Sequence, residues 1–226
     1  ANAFNYHLLI TLKNYLIDIP SEKPMIITGD GNIFSAGLDL VEVQSMNRIE
    51  FRSFIDLFQE VMLLIKKRSG LTYVVVNGHA IAGGFILLCC SDQRYTKRSP
   101  IKMGLNEKIL GFSLPPVAQA IIENTFMENA DKILNAKRIL ELDDLIRINN
   151  FIEISDTPMK TAIKNLEDLD QENDIFLNKN DNLEWIDRFL EKNGSRIQLE
   201  FEEGWWSEKA IRSRNEQLKK LGLSKN

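Results

Sequence analysis

Asn77-Gly-His-Ala-Ile-Ala-Gly-Gly-Phe-Ile-Leu-Leu-Cys-Cys-Ser-Asp92 is the stretch whose reading decides the fold. It follows Thr72-Tyr-Val-Val-Val76, an apolar, β-branched run that reads as a buried strand. It leads into Phe85 to Cys90, an apolar run with no polar face that reads as a buried helix. Between them, Ala82-Gly83-Gly84 lets the backbone turn sharply and approach a bound group closely. The first N–H groups of a helix lack intrahelical partners and sit at the positive end of its dipole, so a developing oxyanion is stabilised there.

The same pattern occurs upstream, where Phe34-Ser-Ala-Gly-Leu-Asp-Leu40 follows the strand-like Met25-Ile-Ile-Thr28. Two such turns can place two backbone donors around one carbonyl oxygen, the arrangement that stabilises an enolate or a tetrahedral anion. In order and separation, FSAGLDL and NGHAIAGGFILLCCSD resemble the two oxyanion-hole segments of the enoyl-CoA hydratase/isomerase (crotonase) superfamily. The resemblance implies that the N–H groups of Ala36 and Gly83 hold a thioester oxygen. It also implies that Ser35, Gly37, Leu38, Asp39, Gly84 and Ile86 contact the substrate.

Glu107 is the acid to watch, set among Met103, Leu105, Ile109, Leu110 and Phe112. Desolvation there would raise its pKa and suit it to moving protons near neutrality. The ordinary alternative is an exposed surface glutamate, because Glu is seldom buried. GLNEKILGF at 104–112 resembles the superfamily's catalytic-acid segment, especially that of mitochondrial-type Δ3,Δ2-enoyl-CoA isomerases, which implies that Glu107 shuttles the proton. The superfamily's hydratases carry a second glutamate three residues after the middle glycine of their turn, and that position here is Ile86.

Water addition needs one carboxylate for the water and another for the α-carbon proton. A double-bond shift needs one base, which takes a proton from C2 of a 3-enoyl thioester and returns it at C4. The implied activity is therefore conversion of 3-enoyl-CoA to 2-enoyl-CoA, with an acyl-CoA thioester as partner, CoA entering within the substrate, and no separate cofactor. The alternatives are another enolate-type acyl-CoA reaction, such as hydration or decarboxylation, or a non-catalytic acyl-CoA-binding scaffold.

Composition bounds the remaining classes. The 226 residues, 44% hydrophobic and 27% charged, suffice for one sizeable core with a smaller appendage. A net charge of -4, from 28 basic and 32 acidic residues, gives no global case for a nucleic-acid partner. Adjacent Cys89 and Cys90 in an apolar run read as small buried hydrophobes. No apolar run approaches the roughly 20 residues that span a bilayer, no signal-like N-terminus is present, and the last residues are Ser-Lys-Asn rather than Ser-Lys-Leu. No membrane association and a cytoplasmic location are the expectation. No metal-ligand spacing occurs; His7 and His79 are the only histidines, and His79 has no evident acid partner nearby.

Along the chain, Phe4, Leu8, Leu9, Leu12, Tyr15 and Leu16 predict a helix over Ala1 to Asp18, stopped by Pro20. Asn2-Ala-Phe-Asn5 resembles a segment that in the superfamily lies just after one or two N-terminal strands, which help hold the CoA nucleotide; the resemblance thus implies, as an expectation, that the chain begins late. Apolar residues from Phe51 to Ile65 at steps of three and four predict an amphipathic helix over Arg48 to Lys67, and Pro115-Pro116 starts another. Arg138 to Ile154 resembles a worn helix-then-strand, with Asn149 or Asn150 in place of a glycine.

Strands alternating with helices indicate an α/β class, and the resemblance implies a crotonase-like spiral of ββα units with a C-terminal helical domain. The expected division is a core at 1–157 and a helical oligomerisation or lid domain at 158–226, assembling as a homotrimer or a dimer of trimers. That domain holds charged clusters at Glu167–Asp174 and Asn178–Glu184 and a stripe of Leu183, Ile186, Phe189 and Leu190. Trp205, Trp206, Ile211 and Leu218 suggest a further helix, the tryptophans packing in preference to lining an acyl pocket.

Overall fold

The structure is a computed structural model that describes residues 1–149, 151–168 and 174–223, apart from the side chains of 149 and 174–181. A first helix, α1 (Tyr6–Asp18), is capped by Asn5, whose side chain accepts the N–H of Leu8. Three ββα passages follow. The first comprises β1 (Met25–Thr28), β2 (Ile33–Ser35), α2 (Leu40–Ser45) and the long α3 (Arg48–Lys66). The second is β3 (Thr72–Val76), β4 (His79–Ile81) and α4 (Gly83–Cys90), and the third is β5 (Gln93–Thr96), β6 (Lys102–Gly104) and α5 (Glu107–Leu110).

Next come α6 (Pro116–Phe126), α7 (Ala130–Leu134), β7 (Leu140–Glu141), α8 (Leu142–Asn149) and β8 (Glu153–Ile154). The chain continues through α9 (Pro158–Asp168), α10 (Asp174–Trp205) and α11 (Glu208–Lys220). Alternate strands go to different sheets. One sheet has the order β1-β3-β5-β8, all parallel, and the other has the order β2-β4-β6-β7, parallel except for the β6–β7 edge.

The strand–turn–helix reading of 72–92 gains an element. Val76 does not run straight into the glycine turn; the chain bends at Asn77-Gly78, crosses to the other sheet and forms β4 first. Gly78 permits this because a Cβ there would stand 2.0 Å from the Asn32 carbonyl oxygen. The turn at 34–40 likewise follows β2, not β1 directly.

Core packing explains the rest. Helix α3 opens with a capping box between Asn47 and Glu50 and buries Phe51, Phe54, Ile55, Phe58, Val61, Met62 and Ile65, each contributing roughly 2 kcal/mol. The C-terminal helices join the same core through Ile186, Phe201 and Trp205, while α9 covers Leu71, Tyr73, Val75 and Tyr95 with Ala162. Trp205 is sandwiched, its ring 4.3 Å from that of Phe51 and 3.9 Å from the Arg214 guanidinium.

Several expectations need correction. Phe4 lies outside α1 and pairs with Leu38 in a parallel bridge, and Tyr15 turns to solvent at 58% exposure. Trp205 ends α10 and Trp206 follows in the turn, so neither starts a helix. Ser207 caps α11 by accepting the Ala210 N–H, which separates the two helices, and Ile211 is 39% exposed. Asn150 and most of the charged cluster at 167–174 lie outside the described residues, as do the side chains of 178–181.

Candidate active site

Three segments singled out in the sequence leave the carboxyl ends of three adjacent parallel strands. Ala36 follows β2, Ala82 follows β4, and Leu105 follows β6. Neighbouring strands stand roughly 4.8 Å apart, so the sheet gathers these turns at one edge. Ile81 is in register with Gly104, and the Ala82 N–H donates to the Gly104 carbonyl at 2.8 Å. That bond ties the glycine turn to the strand that presents Glu107.

The first two turns abut. A Cβ on Gly37 would lie 2.8 Å from the Ala82 Cβ and 3.1 Å from the Gly83 nitrogen, and Gly37 has φ +83°, so glycine is required on both counts. Gly84 approaches the other side of the same turn, where a Cβ would stand 2.6 Å from the Ser35 carbonyl oxygen. Ser35 is buried, its hydroxyl donating to the Asn2 carbonyl and accepting the Gly37 N–H. Ser35, Gly37 and Gly84 therefore serve the close packing of the two turns.

The donor groups are distributed differently from the expectation. The Ala36 N–H is committed to the Ala1 carbonyl at 3.1 Å and the Gly37 N–H to Ser35, so Ala36 is not the open donor of its turn. Leu38 is: among the described residues its N–H has no partner, because the Phe4 bridge uses Gly37 O and Asp39 N. Gly83 opens α4 with its N–H equally unclaimed, while the Ala82 carbonyl takes the N–H groups of Phe85 and Ile86. Ala82 sits at φ 52°, ψ -121°, a backbone region costing about 1–3 kcal/mol for a residue with a side chain.

Asp39 also has a structural task, because it caps α2 by accepting the N–H groups of Val41 and Glu42. Ile86 is buried within α4, so no carboxylate stands at that position. His79 accepts the Lys102 N–H through Nδ1 and latches β4 to the start of β6. Burial pushes both thiols up, Cys90 to about 12, which leaves them unreactive packing groups.

Glu107 is 8% exposed, and burial raises its carboxyl pKa to about 7 against the opposing effect of its own N–H and that of Asn106, 2.9 Å from Oε2. Of the apolar neighbours expected around it, Ile109 is 46% exposed and belongs to the surface. A cavity of about 610 Å³ opens beside Glu107, walled by Leu105, Phe112 and Leu114 and also by Glu200 and Gly204 of α10 and Lys209 of α11. Leu38 and Gly83 are not among its walls. The two halves of the site are joined through the Ala82–Gly104 bond.

Sequence reasoning missed the part of the wall that α10 and α11 supply. Gly204 is its one legible signal: a Cβ there would stand 3.3 Å from that of Phe112. Among the described residues, no group of three or more His, Cys, Asp or Glu side chains could hold a metal ion, and no helix is long and apolar enough to cross a membrane.

The family model for enoyl-CoA hydratase/isomerase matches residues 1–143. The chain belongs to the enoyl-CoA hydratase/isomerase family. Curated relatives include a crotonyl-CoA hydratase of Syntrophomonas wolfei, 35% identical over 116 residues that make up 50% of this chain and 44% of that protein. They also include the mitochondrial enoyl-CoA delta isomerase 1 of Mus musculus, 32% identical over 55% of this chain and 42% of that protein. The matched segment thus spans less than half the length of these relatives. A crystal structure of human mitochondrial delta3-delta2-enoyl-CoA isomerase superposes with a TM-score of 0.81 at 22% identity, covering 97% of this chain and 88% of that one. Enoyl-CoA hydratase/isomerase family architecture, the crotonase-like spiral of ββα units with helices after it, is the fold seen here.

Proposed function

We propose that this chain shifts the double bond of a 3-enoyl-CoA to give the 2-enoyl-CoA. The single observation that carries the reading is Glu107, a buried carboxyl poised near neutrality and bound through its strand to the glycine turn, with no second carboxylate at Ile86. The N–H groups of Leu38 and Gly83 hold the thioester oxygen as negative charge develops on it. Glu107 takes the C2 proton, and the dienolate, stabilised by the two amides, is reprotonated at C4 by the same acid. Each amide contributes roughly 3 kcal/mol to the transition state in sites of this kind.

CoA enters within the substrate and no separate cofactor takes part. The acyl group extends into the cavity closed by α10 and α11, which fits 158–226 as a covering domain over a 1–157 core. Assembly as a homotrimer or dimer of trimers, and a cytoplasmic location, belong to the same reading.

The test is turnover of 3-hexenoyl-CoA by the wild type and by Glu107→Gln, with hydration of 2-hexenoyl-CoA followed in parallel. Isomerisation by the wild type, lost in the variant and unaccompanied by hydration, is the expected outcome. Hydration at a rate equal to or above isomerisation would replace this reading by the hydratase one, and an inactive wild type would remove it.

A further inference from the structure

Helix α4 is buried at all eight residues and carries no charged side chain, yet both its ends are electrically specialised. Its first N–H, that of Gly83, is open. Its last carbonyls are held by cations brought from elsewhere. Arg94 of β5 donates through Nε to Leu88 O at 2.8 Å and through Nη2 to Ser91 O, and Lys66 of α3 donates through Nζ to Cys89 O at 3.3 Å. Thr125 of α6 shares Cys89 O at 3.2 Å. Arg94 is locked further by Phe151, whose ring lies 4.4 Å from the guanidinium and whose carbonyl accepts from Nη1 at 3.4 Å.

Capping a helix end needs no charge, since Thr125 and the Ser91 hydroxyl, 2.7 Å from Leu88 O, already meet those carbonyls. Two cations meet at this one end, with Asp92 the nearby carboxylate acting on both; burial lowers both their pKa values, and a guanidinium, whose ordinary pKa is the higher, is the better able to stay charged there. Arg94 and Lys66 are half-buried against a helix whose own residues are all buried, and the guanidinium charge acts along the helix axis over an eight-residue span of about 12 Å.

We propose that Arg94, assisted by Lys66, is a positioning residue for the oxyanion hole. It anchors and charges the C-terminal end of α4, so that the helix presents the Gly83 N–H, and a positive potential, at the thioester oxygen. The proposal rests on the reading that Gly83 holds that oxygen.

The test uses the full chain and two readouts. The first is the carbonyl stretching band of bound [1-13C]hexanoyl-CoA, a saturated thioester that cannot be isomerised. Wild type is expected to lower the band relative to the free thioester, Arg94→Met to return it towards the free position, and Arg94→Lys to keep most of the lowering. The second is turnover of 3-hexenoyl-CoA, where Arg94→Met is expected to lose about tenfold in kcat with KM nearly unchanged, and Lys66→Met less.

A band unmoved in folded Arg94→Met, or displaced as far in Arg94→Lys as in Arg94→Met, would overturn the proposal. Should Arg94→Met fail to fold, Lys66→Met, which removes the ammonium group together with its bond to Cys89 O, is held to the same band criterion. A wild type that lowers the band without isomerising anything sinks the isomerase reading and leaves this inference standing. A wild type that leaves the band unmoved sinks both.

Discussion

The two sheets receive alternate strands of one chain and are put to different uses. In β1-β3-β5-β8 the central β3 is buried at every position, from Thr72 to Val76, and α9 closes one face over Tyr73 and Val75. In β2-β4-β6-β7 the first three strands are only three residues long, and their carboxyl ends open into the glycine turns and Glu107. The first sheet spends its residues on packing. The second retains strained and desolvated groups, Ala82 and Glu107, that packing alone would not select.

The sharpest way to separate the two is Glu107→Gln. Loss of a general base lowers turnover by about 10²–10⁴-fold. The same change should stabilise the fold at pH 8. A carboxyl whose folded pKa is raised to about 7 adds stability that is fully present below its unfolded value and lost as pH rises through 7. Removing that group spares the chain up to about 3 kcal/mol, less the value of the Asn106 hydrogen bond. Denaturant titrations at pH 5 and pH 8 measure it, and a variant no more stable than wild type at pH 8 would contradict the desolvation. In the unmodified protein kcat/KM should rise with pH to a plateau, with its midpoint near 7.

Gly84→Ala is next, because the new Cβ must displace the Ser35 backbone. Moving the first turn of α4 is expected to cost about 10²-fold in kcat and about 2 kcal/mol of stability. Val74→Ala addresses the other sheet. A fully buried side chain loses two methyl groups for about 2 kcal/mol, and kcat and KM of the folded protein stay unchanged. If Val74→Ala altered kcat instead, the division of labour would fail. The smallest effect is Ala82→Gly, which relieves the positive φ and should raise stability by about 0.5–1 kcal/mol, read from the denaturation midpoint.

The long amphipathic α3 and the all-apolar β3 were legible in the sequence because their periodicity extends over enough residues to be unmistakable. The short β2, β4 and β6 were not. Three residues such as Lys-Met-Gly carry no period, and their pairing is set by neighbours far along the chain. The motifs located the two turns and Glu107, but which amide remains open depends on a bond between Ala36 and Ala1 that no local pattern encodes. The C-terminal part of the cavity wall was hidden for a similar reason: Lys209 is an ordinary surface lysine until α11 lays its stem 3.3 Å from where a Gly111 side chain would begin.

The sandwich of Phe51, Trp205 and Arg214 makes this chain its own optical gauge. Trp205 sits where α3, α10 and α11 meet, while Trp185 and Trp206 are only partly buried, so its indole emission reports on that junction. Substituting phenylalanine for the other two would leave a single lamp, whose colour and brightness follow each parting of α10 and α11 from α3 beneath them.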